Sequence, residues 1–536
     1  MSGKRTWLTL QPQKPRKNHG NDTNRSTGKH PGLKPVTAVT AGMLLLSTLF
    51  LSACAGSKPD SKSAQPADNG PLELSIMTIT PSTPPASDDN VIKRAIEAAT
   101  NSKMKIQWVS NNIYSDKLNI ALASGDIPDL TMINDPFNST FRTMVTQGAF
   151  WDLTPFLKDY PNLWNGTPAI AWELTKMDDG KNYGIPRARD ENDESFLIVR
   201  KDWLDKLGLN PPTTTDELYA VMKAFAEQDP DGNGKNDTYG LSTGIETLLG
   251  TVEGAFTGVN GKWKLDGDKL VYTAWLPEVR KALEFTTKAY KEKLLPEDQL
   301  SLKTTQVRDL FKGNRAGSVI DKTGTGNRVY ATDLRKIVPS FKDTDFYPLT
   351  SINGFTPKGT GFNGLLAIPK TVPEAKMKRI LKLVDTWMTK EVGTIQRFGI
   401  EGVHHNVVNG AKVVIPEKLN ADNASDFNQI VNPIDPSLEV PPATPDMIAA
   451  DVQRKKIQDD RAKVSVPDIS AGLNSPTALK VLPDLEKQIL DLKSKIVIGR
   501  EPLSAWDDFV AKTKNSPDVV KMTEEMTQAY HKRAGK

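Results

Sequence analysis

The chain has 536 residues, 25% of them charged, a formal net charge of +4 and one cysteine, Cys54. A single thiol excludes an internal disulfide and a thiolate zinc site. Residues up to Pro35 carry eight basic side chains and Asp22, or +7, and subtracting this from +4 leaves about −3 for the rest, which speaks against a nucleic-acid partner.

From Val36 to Ala53 there is no Asp, Glu, Lys or Arg, and the segment ends on Leu51-Ser52-Ala53-Cys54. Basic, then apolar, then small residues is the order of a secretion signal. Leu-Ser-Ala-Cys resembles the lipobox of bacterial lipoproteins. That resemblance implies a signal peptide over 1–53, cleavage before Cys54, and lipid such as palmitate on its thiol. The apolar run is slightly short for a membrane span of about 20 residues. Residues 54–71, rich in Ser, Pro, Lys and Asp, cannot bury enough to order themselves and read as a tether.

The body opens with alternation at Leu72, Leu74 and Ile76, helical spacing from Val91 to Ala99, and alternation again at Met104, Ile106 and Trp108. A helix through Leu118 and Leu122 stops at Gly125, and Leu130 to Ile133 reads as a strand. Such a succession predicts a mostly parallel sheet covered by helices. Ligands bind beyond the carboxyl ends of these strands, which puts Asn134 and Asp135 near a cleft. The roughly 480 residues after Cys54 exceed what one core usually supports, so two lobes or more are expected.

Thr214 with Glu217 forms a capping box before a helix through Leu218, Val221, Met222 and Phe225. Residues 229–237, DPDGNGKND, space oxygen ligands Asp229, Asp231, Asn233 and Asp237 at the first, third, fifth and ninth places, and Lys235 offers its carbonyl. Gly234 stands where an EF-hand loop turns sharply, so the pattern points to structural calcium. The twelfth place, where such a loop has a bidentate Glu, is Gly240.

Gly240-Leu241-Ser242-Thr243-Gly244 matches a nucleophile elbow, yet no acid is specifically paired with a downstream His, and a loop or a buried strand end is the better reading. Gly359-Thr360-Gly361-Phe362-Asn363-Gly364 matches a dinucleotide fingerprint but leads into a strand, not a helix, which fits a flexible crossing. A hairpin is expected about Asp266-Gly267, and Leu485, Ile489, Leu492 and Ile496 form a helix stripe. Only His404, His405 and His531 remain beyond Cys54, too few for a histidine-built catalytic metal centre.

SGDIPDLTMIN, YGIPR, RKDWLDKLGL and FGIEGVHHN, in that order, resemble bacterial extracellular solute-binding lipoproteins that deliver oligosaccharides to ABC importers. The resemblance covers essentially all of Cys54 to Lys536. It implies an α/β, two-lobed periplasmic-binding-protein-like fold with a multi-segment hinge. Lobe I would comprise 72–185 plus about 353–402, and lobe II 186–352 plus about 403–536. Crossings would fall near Tyr183 to Arg187, Asn353 to Leu365 and Gly399 to His405. Such a protein would be a monomer on the outer face of the cell membrane, with permease subunits as partners and no catalysis of its own. The rivals are a lipid-anchored glycoside hydrolase and a ligand sensor for a membrane kinase.

Sugar recognition asks for aromatic faces and planar polar groups in a partly dry cleft. Trp164, Trp275, Tyr183, Arg187, Arg189 and His404 are the candidates beside Asn134 and Asp135. Arg187 and Arg189 suggest an acidic sugar, or else a hinge ion pair with Asp190 or Glu191.

Overall fold

A computed structural model describes residues 70–535, apart from 326–328, 409 and 443. Cys54, the signal peptide and the tether up to residue 69 lie outside the described residues. Twelve strands run among those described: β1 (Leu72–Thr80), β2 (Ser102–Ser110), β3 (Leu130–Ile133), β4 (Ile185–Ala188), β5 (Phe196–Arg200), β6 (Trp263–Asp266), β7 (Lys269–Tyr272), β8 (Ser318–Asp321), β9 (Phe346–Pro348), β10 (Phe362–Ala367), β11 (His405–Val408) and β12 (Ala411–Val414).

The first sheet has the order β2-β1-β3-β10-β4. β1 lies parallel to β2 and β3, and β10 returns antiparallel between β3 and β4. Every residue of β3 is buried, as expected of a central strand covered on both faces, and so is every residue of β4 at the edge of the sheet. The helix Glu374–Trp387 lays Met377, Ile380, Leu381, Val384 and Trp387 onto this core, the spacing of one helix face. Asn90 starts the helix Val91–Thr100 by accepting from the amides of Ile92 and Lys93, and Asn101 ends it in the left-handed region.

The second sheet, β8-β5-β9, is antiparallel throughout, so the parallel sheet expected from the first hundred residues belongs to one lobe only. Its cores take residues from Phe196 to Phe355, and a further core brings the β6–β7 hairpin against C-terminal helices through Leu485, Trp506 and Met522. The capping box at Thr214 and Glu217 is present. Among the described residues no helix is long and apolar enough to cross a membrane.

The first core takes residues from Leu72 to Ile185 and again from Leu365 to Val431. Two crossings leave it side by side: the Arg189 amide donates to the Gly361 carbonyl at 2.9 Å, and the Gly359 amide to the Glu191 carbonyl at 2.8 Å. The third crossing differs from the expectation near Gly399 to His405. Phe427, Ile430 and Val431 are buried in the first core, so the chain returns to the second lobe only after Val431. Gly399 serves a different need: a Cβ there would stand 2.4 Å from the His404 ring, and its φ of +69° suits glycine.

Candidate functional site

The carboxyl ends of β1, β2 and β3 present Ser82, Asn112, Asn134 and Asp135 on one rim of the first lobe. Asn134 Nδ2 donates to Ser115 Oγ at 3.0 Å, and Asp135 accepts the Phe137 amide at 2.9 Å. Phe137 is half-buried, packs edge-on to Phe362 at the second crossing, 6.1 Å between centroids, and lies 5.7 Å from the Arg142 guanidinium. Arg142 pairs with Asp178 at 3.3 Å. The sequence reading missed Phe137 and Asn112, although the strand-end rule that selected Asn134 would have reached both.

Across from this rim, β8 ends at Asp321, which accepts from Arg308 Nε at 3.1 Å and from the Tyr330 hydroxyl at 2.7 Å. Burial first, then the Asp321 charge, pushes the Tyr330 phenol up. Asp193, in the first crossing, accepts from the Thr323 amide at 2.8 Å and from its hydroxyl, tying the crossing to the end of β8. Asn112 Nδ2 reaches Thr305 Oγ1 at 3.3 Å, from one lobe to the other.

The expected crossing residues divide. The Tyr183 hydroxyl donates to Asp179 Oδ2 at 2.8 Å, and Arg189, half-buried, donates to the Ala188 carbonyl at 2.7 Å and the Asn428 carbonyl at 3.3 Å. Arg187 is buried: Nε donates to the Asn363 carbonyl at 2.8 Å and Nη1 to Gln429 Oε1 at 2.7 Å. Its hydrogen bonds run to neutral oxygens instead of Asp190 or Glu191, and its Nη2 has no partner. Beside it is a small cavity lined by Leu163, Thr167, Ile185, Val384 and Ile430.

Three expected ligand residues are not brought to the rim. His404 is 0% exposed; its Nδ1 accepts the Ile400 amide at 3.0 Å, which leaves the proton on Nε2 facing Asp422 Oδ2 at 2.8 Å. His405 is buried too, bonded to the Phe398 carbonyl at 2.9 Å, so neither histidine is free for ligand. Trp275 packs against Tyr272 and Phe509 in the C-terminal core. Trp164 stacks on Trp172 at 5.3 Å against the first core, its backbone carbonyl accepting from the Trp172 indole. Ser242 is buried and donates to the Val307 carbonyl at 2.9 Å, which removes it as a nucleophile.

The 229–237 loop gathers its oxygens. The Asn233 and Gly234 amides donate to the two Asp229 carboxylate oxygens at 2.9 and 3.0 Å. The Asn233 side-chain amide donates to Asp231 at 2.9 Å and to Asp237 at 3.0 Å. Asp229, Gly232 and Gly234 have φ of 46°, 74° and 79°, the left-handed residues that fold the segment back on itself. Burial, then the neighbouring Asp229 carboxylate, pushes the Asp231 carboxyl above its ordinary value. These side chains satisfy one another, and among the described residues no group of three or more His, Cys, Asp or Glu is placed to hold a metal ion.

Neither Gly240, at the twelfth place, nor Thr238, just after the ninth, could be replaced by an acid that closes the loop without a clash or a lost hydrogen bond. A Cβ on Gly240 would lie 2.5 Å from the Met222 carbonyl oxygen, and Thr238 is buried with its hydroxyl given to the Phe225 carbonyl at 2.6 Å.

Comparison with known proteins gives concordant matches. The family model "Bacterial extracellular solute-binding protein" matches residues 81–391. Polygalacturonan/rhamnogalacturonan-binding protein YtcQ of Bacillus subtilis (strain 168) is 31% identical over 481 residues, 87% of this chain and 93% of that protein. Lipoprotein LipO of the same organism is 28% identical over 491 residues, 88% of this chain and 94% of that one. The crystal structure of alginate-binding protein AlgQ2 without calcium ion superposes with a TM-score of 0.67 at 22% identity, covering 87% of this chain and 99% of AlgQ2. YtcQ and AlgQ2 are named for what they bind, and the two-lobed α/β architecture is common ground. The chain belongs to the bacterial extracellular solute-binding protein family.

Proposed function

We propose that this protein captures an oligosaccharide between its lobes and hands it unchanged to an ABC permease, while lipid on Cys54 holds it at the outer face of the membrane. The observation that carries the reading is the pair of hydrogen-bonded crossings, which leaves the polar strand ends of one lobe free to approach those of the other. Asn134, Asp135, Tyr183 and Arg189 supply hydrogen bonds to hydroxyls, and Phe137 supplies a ring edge or face. Relatives named for polygalacturonan and alginate support a uronate-containing cargo.

Asp229, Asp231, Asn233, Asp237 and the Lys235 carbonyl would hold a calcium ion that pins this loop of the second lobe. Bound calcium would supply positive charge to the crowded carboxylates and take no part in cargo chemistry.

Titration calorimetry against a panel of galacturonate, alginate and neutral oligosaccharides tests the cargo. Binding without release of shorter products is expected, and product release would establish a hydrolase instead. Cys54→Ala tests the anchor: the chain should leave the membrane fraction, and its retention there would refute lipidation.

A further inference from the structure

Arg308 is bracketed by two ties between the lobes. Thr305, three residues before it on the same face of the helix Thr304–Lys312, meets Asn112 of the first lobe at 3.3 Å. Thr323, just past the end of β8, accepts no such neighbour but gives its amide to Asp193 of the first crossing at 2.8 Å. Helix side chains lean towards the helix start, which here is the end at the lobe contact. The Arg308 guanidinium therefore rises to the inter-lobe face and reaches Asp321 at the end of β8, with 26% of the side chain still exposed. We infer that Arg308 reads a carboxylate on the cargo and sets a preference for uronate over neutral oligosaccharides.

The inference rests on the oligosaccharide reading above and follows from how the guanidinium is held. Nε and Nη2 each lie 3.1 Å from Asp321 Oδ2, so the carboxylate takes one side of the fork. A guanidinium carries five N–H groups in fixed directions. Asp321 leaves the end edge, made by Nη1 and the outer hydrogen of Nη2, and that edge matches a second carboxylate bidentately. A sugar hydroxyl offers it one oxygen and no charge. Asp321 also accepts from the Tyr330 hydroxyl at 2.7 Å and the Lys322 amide at 2.8 Å, so its charge is shared among donors behind the arginine. Its effect is to fix the fork before cargo arrives, which lowers the ordering cost of binding. Arg187 and Arg189, expected from the sequence to meet an acid, donate instead to neutral oxygens of Asn363, Gln429, Ala188 and Asn428.

Titration calorimetry of the purified full chain with galacturonate and alginate oligosaccharides, each beside its methyl ester of equal length, tests the assignment. Esterification removes the charge and leaves the sugar almost the same size. The parent chain should prefer the acid form. Arg308→Gln should weaken the acid form about 10- to 100-fold, the worth of a hydrogen-bonded charge, and leave the ester within about twofold. Arg308→Lys keeps the ion pair with Asp321 but not the fork, so its ratio of acid to ester affinity should fall between the two, and it gives that ratio even where Arg308→Gln is unstable. If Arg308 were only a staple between helix and strand, substitution would weaken acid and ester alike. That result, an unchanged ratio, or a parent that binds neutral oligosaccharides alone would overturn the inference and leave the oligosaccharide reading intact. An absence of heat with every oligosaccharide, acid, ester or neutral, would overturn both.

Discussion

Asn112 and Thr305 meet between the lobes: the amide of one, just past the end of β2, donates to the hydroxyl of the other, in the first turn of the helix Thr304–Lys312, at 3.3 Å. A neutral hydrogen bond of this kind is worth about 0.5–1.5 kcal/mol. Cargo binds in proportion to the fraction of molecules whose lobes are together. Asn112→Ala should therefore weaken cargo binding about two- to fivefold without moving the thermal midpoint. A double-mutant cycle with Thr305→Val should return a coupling of about 0.5–1 kcal/mol; strict additivity would show that the contact does not help closure.

His404 should matter for folding and not for cargo. Its ring accepts the Ile400 amide and donates to Asp422, so alanine would strand both partners. His404→Ala is expected to cost about 2–4 kcal/mol in urea denaturation and to leave the affinity of the folded fraction unchanged. Full stability with lost binding would restore His404 to the cleft.

Burial, followed by the hydrogen bond and charge of Asp179, pushes the Tyr183 phenol up to about 12. A raised value for an acid means that the protonated form is favoured, so the hydroxyl remains a donor up to strongly alkaline pH. Ultraviolet titration of parent minus Tyr183→Phe should show one phenolate appearing near pH 12, and Asp179→Asn should bring it down. A midpoint at the ordinary tyrosine value of about 10 would contradict the contact.

Gly240→Ala should destabilise the chain by about 1–3 kcal/mol, because the new methyl would lie 2.5 Å from the Met222 carbonyl oxygen and 2.7 Å from its Cα, both backbone atoms. For the same reason Gly240→Glu, which completes the loop on paper, should unfold the region before it strengthens calcium. Circular dichroism melts of both variants check this, and a stable, tighter-binding Gly240→Glu would refute it.

Local pattern was readable wherever short-range physics decides the outcome. Alternation gave β1 and β2, the Thr214 and Glu217 pair marked a helix start, and Asp266-Gly267 turned a hairpin. The 229–237 turn was legible because its residues bond to one another within a few positions. What stayed hidden depends on partners distant in sequence. His404 is buried by Asp422 and Gly399, Arg187 is satisfied by Asn363 and Gln429, and Val431 falls into a core begun at Leu72. Nothing near those residues announces such partners, so a pair of histidines looked like a hinge.

The two crossings that clasp each other, Arg189 to Gly361 and Gly359 to Glu191, have a mechanical result. Two separate strings would let the halves twist, slide and splay independently, whereas a laced ribbon is stiff within its own plane and pliant across it. A swing across that ribbon therefore costs less than a shear along it.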